Sequence, residues 1–345
     1  GNAGIADVDQ FQLGAGLGWE ADIWGKIRSR KRAYEADYLQ TVEAHRAVQS
    51  RLVANVATMY DQLMALHEQI AITGQTVASR DTALTTTRAL EQAGNVTAVA
   101  TKQMEAQLYD AQLLLINLRR TQRVLENAFC ILLNEPPHAV ELGTMADRQV
   151  QPSLATGVPA DLLANRPDVR QAEYALMEAF ELTNVAKANF YPSLNITAAG
   201  GLQSVQLDNW FSANSLFSNV AANLLQPIVN RRQVRTAYEV AQSRQEQALL
   251  RYQQVLLLAG GEVSNALFDY QAQTEAVAVQ RKQLEALTTA VGYSEQLLVN
   301  GLANYLEVLT ARQSALAAQI NLVNARYGRQ IAIVDLYEAL GGGWK

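Results

Sequence analysis

Apolar residues alternate with small, polar or acidic residues near the start of the chain. From residue 11 to 23 the odd positions carry Phe11, Leu13, Ala15, Leu17, Trp19 and Ile23, and the even positions carry Gln12, Gly14, Gly16, Gly18, Glu20 and Asp22. A period of two is typical of a β-strand with two unlike faces. The same alternation recurs at residues 194–202 and 216–224. Each predicted strand has about 10 residues, the length that a tilted strand needs to cross a membrane.

Two long stretches of the chain have the composition and period of α-helices. Residues 26–92 contain no proline and only one glycine, Gly74, which predicts a helix of about 67 residues, or about 100 Å. After Gly94, apolar residues recur at steps of three and four until Pro136, as in a coiled-coil seam. The later half of the chain repeats this arrangement around Gly301.

The two halves are related as an internal repeat. A shift of 207 positions pairs 13 identical residues between 55–119 and 262–326 and superimposes Gly94 on Gly301. Each half is therefore predicted to be a strand, a long helix, a tight turn and a returning helix. The predicted division, in chain order, is a β-barrel strand segment at 1–25, a first helical hairpin at 26–134 with its tip near 94, an equatorial linker at 135–160, a helix at 161–191, a β-barrel hairpin at 192–229, a second helical hairpin at 230–338 with its tip near 301, and a tail at 339–345.

Composition and charge exclude several classes of function. The 345-residue chain is 49% hydrophobic and 18% charged, with a formal net charge of −5, which is typical of a folded protein and not of a nucleic-acid binder. It has no run of 18 apolar residues, so we expect no transmembrane helix. Cys130 is the only cysteine and the three histidines are scattered, so we expect no disulfide and no metal centre. Because catalytic motifs are also absent, we expect that the protein binds no cofactor and is not an enzyme.

Charged and aromatic residues mark the junctions between the strands and the helices. Basic residues stand at both junctions, among them Lys26, Arg28, Arg231 and Arg232. Because cations at a helix start oppose the macrodipole, we hypothesise that they contact lipid phosphates; a solvated face with intrahelical pairs is the alternative.

Four further residues of the first strand and its junction complete this membrane region. Trp19 and Trp24 suit an interfacial aromatic girdle or core packing. Glu20 and Asp22 lie on the face expected to line the pore, where they would favour cations or simply be tolerated beside water.

Three strands cannot close a barrel, and open strand edges cannot be left in lipid, because their backbone groups would have no partner. If the apolar faces meet lipid, several chains must contribute strands to one barrel. The pattern then predicts an oligomeric conduit, in which the long helices continue the barrel as a tunnel.

Six segments of the chain resemble the TolC-like outer-membrane efflux proteins, and among them the NodT-type efflux lipoproteins. These segments are WEADIWGKIR (19–28), PADLLANRPDVRQAE (159–173), ANFYPSLNITAAGG (188–201), LLQPI (224–228), NGLANYLEVLTARQ (300–313) and LYEALGGGW (336–344). The resemblance covers essentially the whole chain. It implies that an N-terminal part of two helices and a strand is absent from this sequence.

The resemblance implies a mainly α fold with membrane β. Long antiparallel helical hairpins would form a periplasmic tunnel below a trimeric 12-stranded β-barrel in the cell outer membrane. The implied function is that of the exit duct of a tripartite efflux pump, a multidrug-resistance channel that passively exports small molecules. The implied partners are two further chains in a homotrimer, a periplasmic adaptor, an inner-membrane RND-type pump and outer-membrane lipid.

The resemblance also implies where the duct closes and where the adaptor docks. These events are expected at the turns around Gly94 and around Gly301 to Tyr305. Related proteins often carry an acidic residue two places after the second glycine, where this chain has Ala303. We therefore expect Asn304, Tyr305 or Glu307 to take its role. The alternative to a duct is a soluble periplasmic coiled-coil adaptor or scaffold, which should have one helical hairpin and not two.

Overall fold

The computed structural model describes residues 9–143, 165–303 and 305–343. Its elements, in chain order, are β1 (Phe11–Ala21), α1 (Lys26–Gln92), α2 (Ala98–Leu132), α3 (Pro167–Ala188), β2 (Ser193–Ser204), β3 (Leu216–Leu225), α4 (Gln233–Val299) and α5 (Tyr305–Ala339). Two short 3-10 turns, Leu207–Asn209 and Ala213–Ser215, connect β2 to β3. The fold is mainly helical with a small sheet, so the predicted fold class is confirmed.

The three strands form an antiparallel sheet in the order β1-β2-β3. Its register places apolar side chains opposite one another, because Leu17 pairs with Ala198 and Ala198 pairs with Val220. Leu17 is 71% exposed and Val220 is 76% exposed. The register puts Glu20 and Asn195 opposite each other on the other face. The sheet therefore has one continuous apolar face and one polar or small-residue face, as the alternation predicts.

The helix bounds follow the internal repeat without any slip. Each bound of a helix in the first hairpin lies 207 positions before the equivalent bound in the second: Lys26 before Gln233, Gln92 before Val299, Ala98 before Tyr305, and Leu132 before Ala339. The ends of the helices follow the same rule. Gly94, Asn134, Gly301 and Gly341 all have positive φ, between 60° and 78°.

Each of these positive-φ residues closes a Schellman motif. The amide of Gly301 donates to the carbonyl of Leu298, and the amide of Leu302 donates to that of Leu297. Equivalent pairs of hydrogen bonds end α1, α2 and α5. Because the left-handed conformation favours glycine or asparagine, these four residues determine where the long helices stop.

The chain divides into two compact units. One comprises residues 1–44 and 168–255 and contains the sheet and α3; the other comprises 45–167 and 256–345 and contains α2 and α5. In the second unit, α4 and α5 pack through small residues, with Val263 and Ala266 against Leu336 and Ala339. In the described residues, no helix combines the length and apolarity that crossing a membrane requires.

Several predicted ranges extend into segments outside the described residues. Of the predicted linker at 135–160, residues 144–160 lie outside them, as do residues 161–164 of the predicted helix at 161–191. The described part of that helix begins at Pro167, which occupies the first turn with Asp168. Both residues suit a helix start, because proline needs no hydrogen-bond partner there and an acid complements the macrodipole.

Candidate tip gate and membrane interface

The two turns that join the helices of each hairpin expose apolar side chains. Gly94 lies in the first turn and Gly301 in the second, both with positive φ. Thr97 caps α2, since its side-chain oxygen accepts a hydrogen bond from the amide of Ala100. Val99 beside the first turn and Leu302 in the second turn are both exposed. These two turns are hereafter called the tip turns.

Tyr305, the first residue of α5, packs against the first hairpin. Its ring contacts an apolar cluster formed by Leu84 of α1, Met104 and Leu108 of α2, and Leu309 of α5. The Tyr305 hydroxyl is buried near Thr87 without a hydrogen bond of good geometry in the described part of the chain. Burial raises the pKa of the Tyr305 phenol, although Thr87 and two nearby arginines partly oppose the rise. Tyr305 therefore joins the start of α5 to the first hairpin through apolar packing.

Two arginines are close enough to the Tyr305 hydroxyl to affect it electrostatically. Arg80 is buried on α1 and donates from Nη1 to the carbonyl of Gln107 on α2, at 2.5 Å. Burial lowers the pKa of the Arg80 guanidinium; the charge of Asp110 partly opposes this effect, and the charge of Arg312 adds to it. Arg312 itself donates from Nε and Nη2 to Oε1 of Glu295, at 2.9 and 2.6 Å, and so ties α5 to α4. The tip thus combines an apolar contact with two buried or half-buried cations.

The other predicted tip residues have less contact with their surroundings. Ala303 is half-buried, and Glu307 is exposed in the first turn of α5. A carboxylate there complements the helix macrodipole. Asn304 lies outside the described residues.

The two tryptophans of the predicted girdle lie in different environments. Trp19 is exposed on the apolar face of the sheet, opposite Ile196. Trp24 stacks on Tyr191 with ring centroids 4.5 Å apart, and its indole N–H donates to the carbonyl of Pro192 at 2.9 Å. Trp19 is therefore free to meet lipid, whereas Trp24 holds the strand junctions together.

The carboxylates predicted to line the pore pair with the first basic cluster. Glu20 forms an ion pair with Lys26 at 3.2 Å. Asp22 follows the last residue of β1, and its two carboxylate oxygens accept from the amides of Ile27 and Arg28, each at 2.9 Å. The Arg28 guanidinium also donates to this carboxylate. Asp22 thus caps α1, which its position in the alternating pattern did not indicate.

The second basic pair has a different local structure. Arg231 and Arg232 lie in the turn that precedes α4, both exposed and with φ of 50° and 64°. Neither has an ion-pair partner among the described residues, in contrast to Lys26 and Arg28. The two basic clusters look equivalent in the sequence. In the structure, Lys26 and Arg28 form ion pairs within the chain, whereas Arg231 and Arg232 do not among the described residues.

Comparison with known proteins identifies the class of this protein. The profile of the outer membrane efflux protein family matches residues 4–134 and 158–342. The chain belongs to this family. Its relatives include the cation efflux system protein CusC of Escherichia coli, 28% identical over 341 residues, which cover 99% of this chain and 74% of CusC. The toluene efflux pump outer membrane protein TtgF of Pseudomonas putida is 29% identical over 345 residues, covering 100% of this chain and 71% of TtgF.

Solved structures of the family have the same fold. A crystal structure of CusC superimposes with a TM-score of 0.90 at 27% identity, covering 98% of this chain and 84% of that one. VceC from Vibrio cholerae has the same fold, with a TM-score of 0.91 at 21% identity and with 97% and 80% of the two chains covered.

Membership of this family decides between the functions considered above. The protein is an outer-membrane channel with a periplasmic tunnel, the exit duct of an efflux pump, and it works with partner proteins of that pump. It is neither an enzyme nor a soluble adaptor. Among the described residues, no three histidine, cysteine or acidic side chains form a group that could hold a metal ion.

Sequence reasoning missed one arginine that joins two helices, α4 and α5. Arg166, in the RPDVR segment, is buried and donates from Nη1 to the carbonyl of Ala339 at 2.9 Å and from Nη2 to Glu262 at 2.6 Å. Its backbone also approaches Gly341, where a Cβ would lie 3.2 Å from the Arg166 backbone. The motif helped to identify the family, but its spacing carries no signal for partners 96 and 173 residues away.

Proposed function

We propose that the protein acts as a homotrimeric duct whose periplasmic end is held closed by Tyr305. In this mechanism the second hairpin moves away from the first when the duct opens, and Tyr305 leaves its apolar contacts. The observation that carries the proposal is the packing of Tyr305 against Leu84, Met104 and Leu108 of the first hairpin. Because the two hairpins must separate when the duct opens, a contact that joins them stabilises the closed state.

The open edges of the sheet support an assembly of several chains. The strands β1 and β3 form the edges of the three-stranded sheet, and an unpaired strand edge is unstable in lipid. Additional strands must therefore pair with both edges, and further copies of the same chain supply them in the proposed homotrimer. The face bearing Glu20 and Asn195 would line the pore, because the opposite face is apolar.

We further propose that a periplasmic adaptor docks at the tip turns, while an inner-membrane RND-type pump supplies the energy. The exposed apolar side chains Val99, Val299 and Leu302 support this assignment, because water-exposed aliphatic groups at a turn gain stability when a partner covers them. The docking region would include Gly94, Gly301 and Ala303 of these turns, Asn304, and Glu307 in the first turn of α5.

Single-channel conductance of the full-length protein in planar bilayers tests the Tyr305 gate. Replacing a buried aromatic ring by alanine costs about 3–5 kcal/mol. A half-buried ring should therefore contribute about 2 kcal/mol, which is a roughly 30-fold shift towards the open state. We expect Tyr305→Ala to raise the open probability accordingly. Tyr305→Phe should stay close to the wild type, because the hydroxyl makes no well-formed hydrogen bond.

A matched control is Tyr293→Ala, which removes an exposed tyrosine from α4 and should leave conductance unchanged. Wild-type conductance in Tyr305→Ala would refute the gate. An equal opening in Tyr305→Phe would instead assign closure to the hydroxyl and its neighbouring arginines.

A further inference from the structure

The segment between β3 and α4 exposes aliphatic and basic side chains side by side. Ile228 is 91% exposed and Val229 is 92% exposed. Arg231 and Arg232 follow directly and are also exposed. Large aliphatic side chains are rarely left in water to this extent unless something covers them.

The backbone of the two arginines is strained. Both have φ in the left-handed region, which side chains with a Cβ adopt at an energetic cost. Glycine would adopt this turn freely. Two consecutive arginines in such a turn therefore indicate that their side chains serve a purpose other than stabilising the turn.

Four other cations near the strand junctions are neutralised within the chain. Lys26 pairs with Glu20, Arg28 with Asp22, and Arg32 with Glu181. Arg235, three residues after Arg232, pairs with Glu239 at 2.9 Å. Arg231 and Arg232 have no such partner in the part of the chain that the structure describes. Arg30 of α1 and Lys187 of α3 are also exposed and without an ion pair among the described residues. Arg231 and Arg232 differ from these two because they are adjacent and directly follow the exposed Ile228 and Val229.

The location of the segment identifies what could neutralise this charge. It directly follows β3, whose Leu224 is exposed on the apolar face of the sheet. It directly precedes α4, one of the long helices of the periplasmic tunnel. The segment thus lies where the lipid-facing surface ends on the periplasmic side, at the depth of the phospholipid headgroups.

We infer that Arg231 and Arg232 bind the phosphate of an anionic phospholipid in the periplasm-facing leaflet. Ile228 and Val229 lie against the adjoining acyl chains. Guanidinium groups suit this ligand because they donate hydrogen bonds in a fork that matches phosphate oxygens. The inference rests on the outer-membrane location of the protein and is independent of the Tyr305 gate.

Binding of fluorescently labelled phosphatidylglycerol to the detergent-solubilised full-length protein tests this site. The variant is Arg231→Gly with Arg232→Gly, because glycine accepts the left-handed backbone and the variant should fold at least as well as the wild type. One basic residue near an anionic lipid surface contributes about a fivefold preference, so the pair should contribute roughly 30-fold. We expect the dissociation constant for phosphatidylglycerol to rise by this factor and that for phosphatidylcholine to stay unchanged.

The matched control is Arg235→Gln, which removes one positive charge nearby from an arginine that is already paired. It should retain wild-type affinity for phosphatidylglycerol. Unchanged affinity in the double glycine variant overturns the inference. So does a variant that loses trimer assembly with no change in lipid preference, which would assign the arginines to a protein contact. Displacement of the lipid by equimolar inorganic phosphate would also overturn it, because the site would then recognise free phosphate.

Discussion

Arg166 offers the sharpest test of what stabilises the helical region. Its side chain is 8% exposed and bridges two helices. One nitrogen donates to the carbonyl of Ala339, in the last turn of α5, and the other pairs with Glu262 of α4. Carbonyls in the last turn of a helix have no partner within the helix, and a cation at that end complements the macrodipole. Arg166 therefore caps α5 from a distant part of the chain.

These two contacts of Arg166 should contribute unequally to stability. A charged hydrogen bond to a buried carbonyl contributes about 1.5–3 kcal/mol. The ion pair should contribute less than about 1 kcal/mol, because the Glu262 side chain is 56% exposed and solvent screens the pair. We therefore expect Arg166→Ala to cost about 3 kcal/mol in the free energy of unfolding, and Glu262→Gln to cost under 1 kcal/mol. Arg166→Lys should fall between them, since one ammonium cannot reproduce the guanidinium fork.

Chemical denaturation of the full-length protein in detergent, followed by far-ultraviolet circular dichroism, measures these differences. Lys102→Ala is the control, because Lys102 is exposed and its pair with Glu105 lies on the helix surface; its midpoint should match that of the wild type. Equal losses for Arg166→Ala and Glu262→Gln would refute the reasoning, because the ion pair and not the helix cap would then be the main contribution.

Two further predictions concern backbone conformation and pH. Gly301→Ala should destabilise the protein by about 1 kcal/mol, because the φ of Gly301 is positive. Gly74 lies in the interior of α1 with open space around it, so Gly74→Ala should stabilise the protein by about 1 kcal/mol. Equal denaturation midpoints for the two variants would contradict this reasoning. Burial and the charge of Asp269 raise the pKa of Asp335, so the folded state holds this proton more tightly and stability falls as pH rises above the ordinary value of 3.8. Asp335→Asn should flatten this fall in a series of midpoints measured up to neutral pH, and an unchanged slope would argue against it.

Periodicity was sufficient to predict the elements of the fold. The alternation around Leu17 identified a strand with two faces, and the register confirms that the apolar faces coincide. The repeat offset of 207 residues holds at every bound of the four hairpin helices. These features follow from local sequence, because strand and helix periods are properties of neighbouring residues.

Features that have no period along the chain could not be predicted in this way. The alternating pattern extended to Asp22, but the chain leaves the sheet after Ala21 and the carboxylate caps α1. Tyr305 was predicted to lie at the tip, whereas its packing against Leu84 and Met104 depends on how two hairpins meet. The left-handed backbone of Arg231 likewise has no sequence signal, since a turn of this kind usually contains glycine.

The most informative feature of the tip is where the two halves of the repeat differ. The position equivalent to Tyr305 in the first half is Ala98, which has no ring to insert, and the position equivalent to Arg80 in the second half is Leu287. The backbone repeat is thus exact at the bounds of the four hairpin helices. At the tip, however, the ring of Tyr305 has no equivalent in the first half, and the guanidinium of Arg80 has none in the second. This contact is asymmetric, because α5 supplies the ring and the first hairpin supplies the apolar surface against which the ring packs. If Tyr305 controls opening, the asymmetric side chains, and not the shared helical framework, determine which hairpin moves.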